Sequence, residues 1–103
     1  MLDIERIREI ARDKNKIIVS GHTSLRLRSR GIKYADIVCV VGNGAVIEQY
    51  PDDYPFPSCL INGVSADGKP LHVVVGTNDE YIWIVTTYYP SEDKWTDNFS
   101  VRR

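Results

Sequence analysis

Apolar residues follow a helical period in the first third of the chain and a period of two from about residue 45 onward. The first helical stripe consists of Ile4, Ile7, Ile10 and Ala11. It predicts a helix from Asp3 to about Lys14, with the acid at the end where the helix dipole favours negative charge. The residues that follow, Lys16–Val19, fit either a short strand or a buried linker.

A second helix is predicted by the residues that would begin and end it. Ser20 can accept a hydrogen bond from a free amide of the first turn, and Gly31 suits the left-handed residue that commonly ends a helix. Between them, His22, Arg26 and Arg30 recur at every fourth position and therefore project from one face. An imidazole and two permanent cations in a row could bind a phosphate or another anion. The same spacing is also typical of the solvated face of an amphipathic helix.

The segment from Lys33 to about Val41 fits both periods, because its β-branched residues are also helically spaced. From Ala45 onward four strands are predicted: Val46–Tyr50, Ser58–Val64, Pro70–Gly76 and Tyr81–Tyr88. The tight connections between them predict an antiparallel meander, and Trp95 and Phe99 are predicted to fold back as apolar anchors. The predicted architecture is therefore α+β, with N-terminal helices packed on one face of a four-stranded antiparallel sheet.

The length of 103 residues suits one compact domain and not two, so residues 1–103 are expected to form a single domain. Hydrophobic residues make up 43% of the chain and can supply a core, yet no apolar run approaches the ~18 residues of a transmembrane helix. The charged N-terminus lacks the apolar stretch of a signal peptide. These features predict a cytoplasmic protein without a membrane partner, in which Cys39 and Cys59 are reduced, buried thiols.

The charge is nearly balanced overall but unevenly distributed. A formal net charge of −1 argues against a protein that coats nucleic acid by bulk charge. A basic block without an acid nevertheless runs through the second predicted helix: Arg26, Arg28, Arg30 and Lys33. A local basic patch on a neutral protein fits recognition of a few phosphates better than a long duplex track.

The row from His22 to Arg30, followed by Gly31 and Ile32, resembles the signature of a bacterial family called domain of unknown function 4258. The resemblance continues through three further segments: Gly44–Pro51, Pro70–Val74 and Ile84–Pro90. With Trp95 it covers about residues 17 to 103. The family is similar to small ribonuclease toxins of the barnase, colicin and RelE type, so the resemblance implies a toxin-like fold and an RNA substrate. It also favours a short third helix over residues 33–41.

A metal-independent ribonuclease needs a base for the ribose hydroxyl, an acid for the leaving oxygen and cations for the phosphate charge. We assign phosphate binding to His22, Arg26 and Arg30, and proton transfer to Glu48 or His72. Two of these assignments have structural alternatives. Glu48 could instead hold an arginine, and His72 could be a partly buried residue on a sheet face.

Aromatic side chains at the end of the last predicted strand, Tyr88 and Tyr89, are candidates for stacking on RNA bases. A metal site made of His22, His72 and Glu48 would have the two-histidine, one-carboxylate composition. None of the three lies at a short metal-ligand spacing, so no metal and no other cofactor is expected.

The basic row also fits a second class of function. In a non-catalytic interaction module, such as one partner of a toxin–antitoxin-like or regulatory pair, the row would meet an acidic protein partner or antitoxin. The directions of His72 and Glu48 distinguish the two hypotheses. If both face away from the row, the row has no agents of proton transfer beside it, and binding is the better interpretation.

Overall fold

The computed structural model describes residues 1–103 and contains three α-helices and seven strands. The helices are α1 (Ile4–Ala11), α2 (Gly21–Ser29) and α3 (Tyr34–Asn43), and a 3₁₀ turn covers Lys14–Lys16. The first five strands are β1 (Ile17–Ile18), β2 (Ala45–Tyr50), β3 (Ser58–Val64), β4 (Pro70–Thr77) and β5 (Ile82–Tyr88). Two short strands follow, β6 (Trp95–Thr96) and β7 (Val101–Arg102). No helix is long and apolar enough to span a bilayer.

The ends of α2 confirm the sequence prediction. The Ser20 hydroxyl accepts from the amide of Thr23 at 3.2 Å, which caps the first turn. Gly31 has φ +69°, and the amide of Ile32 donates to the Leu27 carbonyl at 2.9 Å. This bond is characteristic of a Schellman motif, in which the left-handed residue lets the chain turn away from the helix.

The main sheet has five strands in the order β1-β5-β4-β3-β2, and it is mixed. The prediction of a four-stranded antiparallel sheet is correct for β2 to β5 but wrong for the sheet as a whole. Ile17 and Ile18 pair in parallel with Ile82 and Trp83, on the outer edge of β5. A two-residue strand is too short to show a period, so its partner is decided by tertiary contacts. The predicted third helix is confirmed as α3.

The main core lies between the helices and one face of the sheet. Ile7 of α1 and Ile37 and Val40 of α3 are almost fully buried against Ile61 of β3 and Val73 of β4. Alternate residues of each strand point to this face, and the residues between them point to the opposite one. We call the opposite side the second face of the sheet.

The junction between α3 and β2 is tightly packed at Gly44. A Cβ atom added there would lie 2.6 Å from the carbonyl oxygen of Val40 and 2.7 Å from that of Asn62. Both contacts are to backbone atoms, which cannot rotate away. Gly44 therefore allows the end of α3 to approach β3 closely.

The second face is covered in part by residues 91–103, which we call the C-terminal segment. Its strands β6 and β7 form a small antiparallel hairpin. Trp95 is only 3% exposed and packs with Leu60 and Val74 of the sheet, and Phe99 lies beside them. The prediction that Trp95 and Phe99 fold back as apolar anchors is confirmed.

Candidate functional site

Two hydrogen-bonded groups of polar side chains, Glu48–Tyr50–Arg102 and His72–Tyr88, lie on the second face, where the C-terminal segment covers them, and together we call them the polar cluster. Its members come from four strands: Glu48, Tyr50, His72, Tyr88 and Arg102. Strand register places them on one face of the sheet. His72 lies opposite Tyr88 of β5, and Glu48 lies opposite Leu60 of β3, which lies opposite Val74 of β4. A bulge between Val46 and Glu48 turns the carboxylate toward this face and away from the main core.

Glu48 is the one carboxylate of the cluster and accepts three hydrogen bonds. Arg102 donates to both of its carboxylate oxygens, from Nε at 3.1 Å and from Nη2 at 2.8 Å, and the Tyr50 hydroxyl donates to Oε1. The hydrogen bond from Arg102 lowers the pKa of Glu48 below its ordinary value. Burial, together with the adjacent carboxylate, raises the pKa of Tyr50 to about 12. Glu48 is therefore an ionised acceptor, and Tyr50 is a neutral donor.

His72 is fully buried, with an exposed fraction of 0%. Its Nε2 lies 2.8 Å from the carbonyl oxygen of Phe99, which can only accept, so Nε2 carries the proton. Nδ1 then accepts from the Tyr88 hydroxyl at 3.2 Å. The edge of Trp95 packs against the imidazole at a centroid distance of 4.5 Å. Burial lowers the pKa of His72 and raises that of Tyr88, which favours the neutral imidazole.

The basic row lies on α2. His22 and Arg26 are exposed and form no hydrogen bond or ion pair through their side chains. Arg30 instead donates from Nη1 to the carbonyl oxygen of Thr87 at 2.6 Å. The Thr87 hydroxyl in turn donates to the carbonyl oxygen of His72 at 2.7 Å. Arg30 thus connects α2 to the strands that carry the polar cluster.

The structure divides the predicted site residues into two groups. Glu48, His72 and Tyr88 converge in the cluster. His22 and Arg26 lie apart from it on α2, and Arg30 joins the two groups only through Thr87.

The remaining predictions concern stacking and metal binding. Tyr89 lies outside the cluster and is 38% exposed, with the Lys69 ammonium 5.8 Å from its ring centroid. No group of three or more His, Cys, Asp or Glu side chains is arranged to hold a metal ion. The alternative metal set of His22, His72 and Glu48 is therefore not assembled.

Two members of the cluster are absent from the sequence-based assignments. Arg102 is 54 residues from Glu48 along the chain, and no local pattern connects them. Tyr50 could have been found, since it follows Glu48 by two positions on one strand and so shares its face.

These features define a small α+β domain with a polar cluster on the second face of its sheet and a basic helix at the sheet edge. A family model described as Domain of unknown function (DUF4258) matches residues 19–89, and the chain belongs to this family. The match runs from the start of α2 to the end of β5 and leaves α1 and the C-terminal segment outside it. No curated protein and no solved structure matches the chain.

Proposed function

We propose that this chain is an RNA-binding domain that contacts phosphates through the basic face of α2. The observation that carries the proposal is that His22 and Arg26 of the row are exposed and have no protein partner. Neither takes part in any of the five ion pairs of the molecule, and the Arg30 side chain bonds only to the carbonyl of Thr87. An arginine without a protein partner keeps its planar fork of donors available for a phosphate.

The layout of the charges favours a short stretch of RNA over a long duplex. The net charge is −1, so binding depends on the local patch and not on the whole surface. Arg30 keeps further N–H donors beyond the one that binds Thr87, because a guanidinium has five. It can therefore hold α2 against the sheet and still contribute to the patch.

The separation of Glu48 and His72 from His22 and Arg26 favours binding alone, but their position on one face of the sheet supports a second candidate function, cleavage of RNA without a metal. Glu48 takes the proton of a ribose 2′-hydroxyl, whose oxygen then attacks phosphorus as the bond to the 5′-oxygen breaks. His72 returns a proton to that leaving oxygen, and for this step it must be in the protonated form, which its burial disfavours. The products are a 2′,3′-cyclic phosphate end and a 5′-hydroxyl end.

Replacing Arg26 with alanine is expected to weaken binding of a labelled single-stranded RNA by about ten- to a hundredfold. The reason is that a charge-assisted bond contributes roughly 1.5–3 kcal/mol. Fluorescence anisotropy at one fixed salt concentration measures the effect. Arg28→Ala is the matched control. Successive residues of a helix are about 100° apart, so Arg28, two positions from both Arg26 and Arg30, falls off the row. Arg26→Lys should restore only part of the loss, since an ammonium lacks the planar fork.

Two results would contradict RNA binding at this row. Equal, small losses for Arg26→Ala and Arg28→Ala would identify a solvated basic face. If RNA does not bind but an acidic peptide does, with Arg26→Ala weakening it, the chain is the non-catalytic interaction module. Thermal melts of each variant exclude unfolding as the cause.

Cleavage has a separate expected outcome. Labelled RNA incubated with the protein in a chelator should be cleaved, and Glu48→Gln should slow the reaction by at least about a hundredfold, the usual contribution of a general base. His22→Ala should slow it as well if His22 contacts the phosphate. Chelator-resistant cleavage that neither substitution changes would remove both residues from the mechanism and leave binding as the function.

A further inference from the structure

The C-terminal segment bonds directly to the side chains that the proposed cleavage reaction requires. Arg102 occupies both oxygens of Glu48, and the Phe99 carbonyl accepts from Nε2 of His72. A third bond runs from the Asn62 amide to the carbonyl of Asn98 at 3.1 Å. Three separate points of the segment are thus attached to the second face of the sheet.

These bonds occupy the polar atoms of the two proton-transfer groups, although the Glu48 side chain is still partly exposed. His72 has no exposed surface, and both of its ring nitrogens are occupied within the chain. Both carboxylate oxygens of Glu48 accept hydrogen bonds within the chain as well. Arg102 donates to both of them, and Tyr50 also donates to Oε1. A general base or acid must reach the proton that it transfers, so this arrangement is closed to RNA.

The covering segment has features of a structure that can open. Its hairpin has only two paired positions on each strand, and Trp95 is its one buried anchor. Three consecutive residues, Asp97, Asn98 and Phe99, have φ values of 51°, 58° and 66°. Aspartate and asparagine tolerate left-handed backbone, but it is unfavourable for a bulky residue such as Phe99. The bonds to the sheet hold this conformation in place.

We propose that the C-terminal segment is an autoinhibitory strap, which must leave the second face before Glu48 and His72 can act on RNA. The proposal rests on the cleavage reaction proposed above. It adds that access to the reacting groups is controlled by residues 91–103, which lie outside the part of the chain that the family model matches. Arg102 is the main latch, because its bidentate bond to Glu48 is the only ion pair between the segment and the sheet.

The first experiment measures opening of the strap without using RNA. Diethyl pyrocarbonate modifies accessible neutral imidazoles, and the chain has two histidines, the exposed His22 and the buried His72. In the full chain, Arg102→Ala is expected to accelerate modification of His72 by about ten- to a hundredfold, the range that loss of a charge-assisted pair supports. The rate at His22 should not change, and it serves as the internal standard.

Arg103→Ala is the matched control for that experiment. It removes the same charge from the neighbouring position, but the Arg103 side chain donates only to carbonyls of Glu92 and Trp95, inside the segment. His72 modification should therefore stay near the wild-type rate. Circular dichroism and hydrogen exchange in β3 and β4 verify that both variants keep the sheet.

The second experiment measures cleavage of labelled RNA by the same variants. Arg102→Ala should cleave about ten- to a hundredfold faster than wild type, and adding Glu48→Gln to it should abolish the gain. A second test uses a chain with a protease site inserted between Pro90 and Ser91. Cutting this chain after it has folded should raise its rate of RNA cleavage above that of the uncut chain from the same preparation.

Two outcomes would overturn the strap. One is that Arg102→Ala leaves the His72 modification rate unchanged, or changes it no more than Arg103→Ala does. The other is faster modification of His72 with no gain in cleavage, in the variant and in the cut chain. RNA binding through α2 is judged separately by the Arg26→Ala titration, so failure of the strap and failure of RNA binding are distinguishable.

Discussion

Replacing His72 with alanine is expected to lower the free energy of unfolding by about 3–5 kcal/mol, the cost typical of removing a large buried ring. The imidazole is fully buried and packs edge-on against Trp95. Its loss leaves a cavity and also removes the partners of the Phe99 carbonyl and the Tyr88 hydroxyl. Unsatisfied buried groups add to the cost of the cavity.

Urea denaturation of His72→Ala beside His22→Ala measures this effect. His22 is exposed and unbonded, so its replacement should change the free energy of unfolding by no more than about 0.5 kcal/mol. Equal, small changes for the two histidines would show that His72 is not held as described. They would also remove the basis of the strap.

Burial of His72 fixes the sign of a pH effect as well. Its folded pKa lies below the ordinary value of 6.5, so the unfolded chain takes up the proton first as the pH falls. Stability should therefore be highest above about pH 6.5 and decline below it. The pKa of Glu48 is also lowered, from 4.5, so a second decline should begin below that pH. His72→Gln should abolish the first decline and keep the second.

Gly44→Ala is expected to destabilise the fold by about 1–3 kcal/mol or more, the usual cost of inserting a methyl group into a packed site. The new Cβ would lie 2.6 Å and 2.7 Å from two backbone oxygens, those of Val40 and Asn62. Neither oxygen belongs to a flexible side chain, so α3 and β3 would have to move apart.

Gly42 provides the control for this substitution. It lies two residues earlier, inside α3, and an added Cβ would meet nothing within 4 Å. Gly42→Ala should raise stability by about 0.5–1 kcal/mol, because glycine is a poor helix former. Thermal melts of the two variants decide the prediction. A loss of stability for Gly44→Ala with a gain for Gly42→Ala would support the close approach at Gly44. A gain of stability in both variants would contradict it.

Local signals explain why much of the fold could be predicted from the sequence. The hydrogen bonds at the two ends of α2 join residues no more than five positions apart. Ser20 and Gly31 therefore indicate the helix ends in the sequence itself. The four longer strands are rich in apolar and β-branched residues and are bounded by turn residues such as Gly, Pro, Asp and Asn, which is typical of strands. Tight turns between them then determine an antiparallel order.

The contacts that close the site are of another kind, because they join distant parts of the chain. His72 and Phe99 are 27 residues apart, and Glu48 and Arg102 are 54 apart. Strands β6 and β7 have two residues each, which is too short for a period to appear. A sequence can therefore show that Glu48 and His72 lie on strands, but not that residues 91–103 return to cover them.

The outer edge of β5 combines two features that limit sheet growth. Strand β1 pairs with its first residues, and Arg30 occupies the carbonyl of Thr87 near its end. An open, flat strand edge is a template on which another chain can add a strand, and proteins block it with short partners, bulges and charges. Arg30, which the sequence predicts to bind phosphate, is therefore also placed where it hinders the pairing of another strand with this edge.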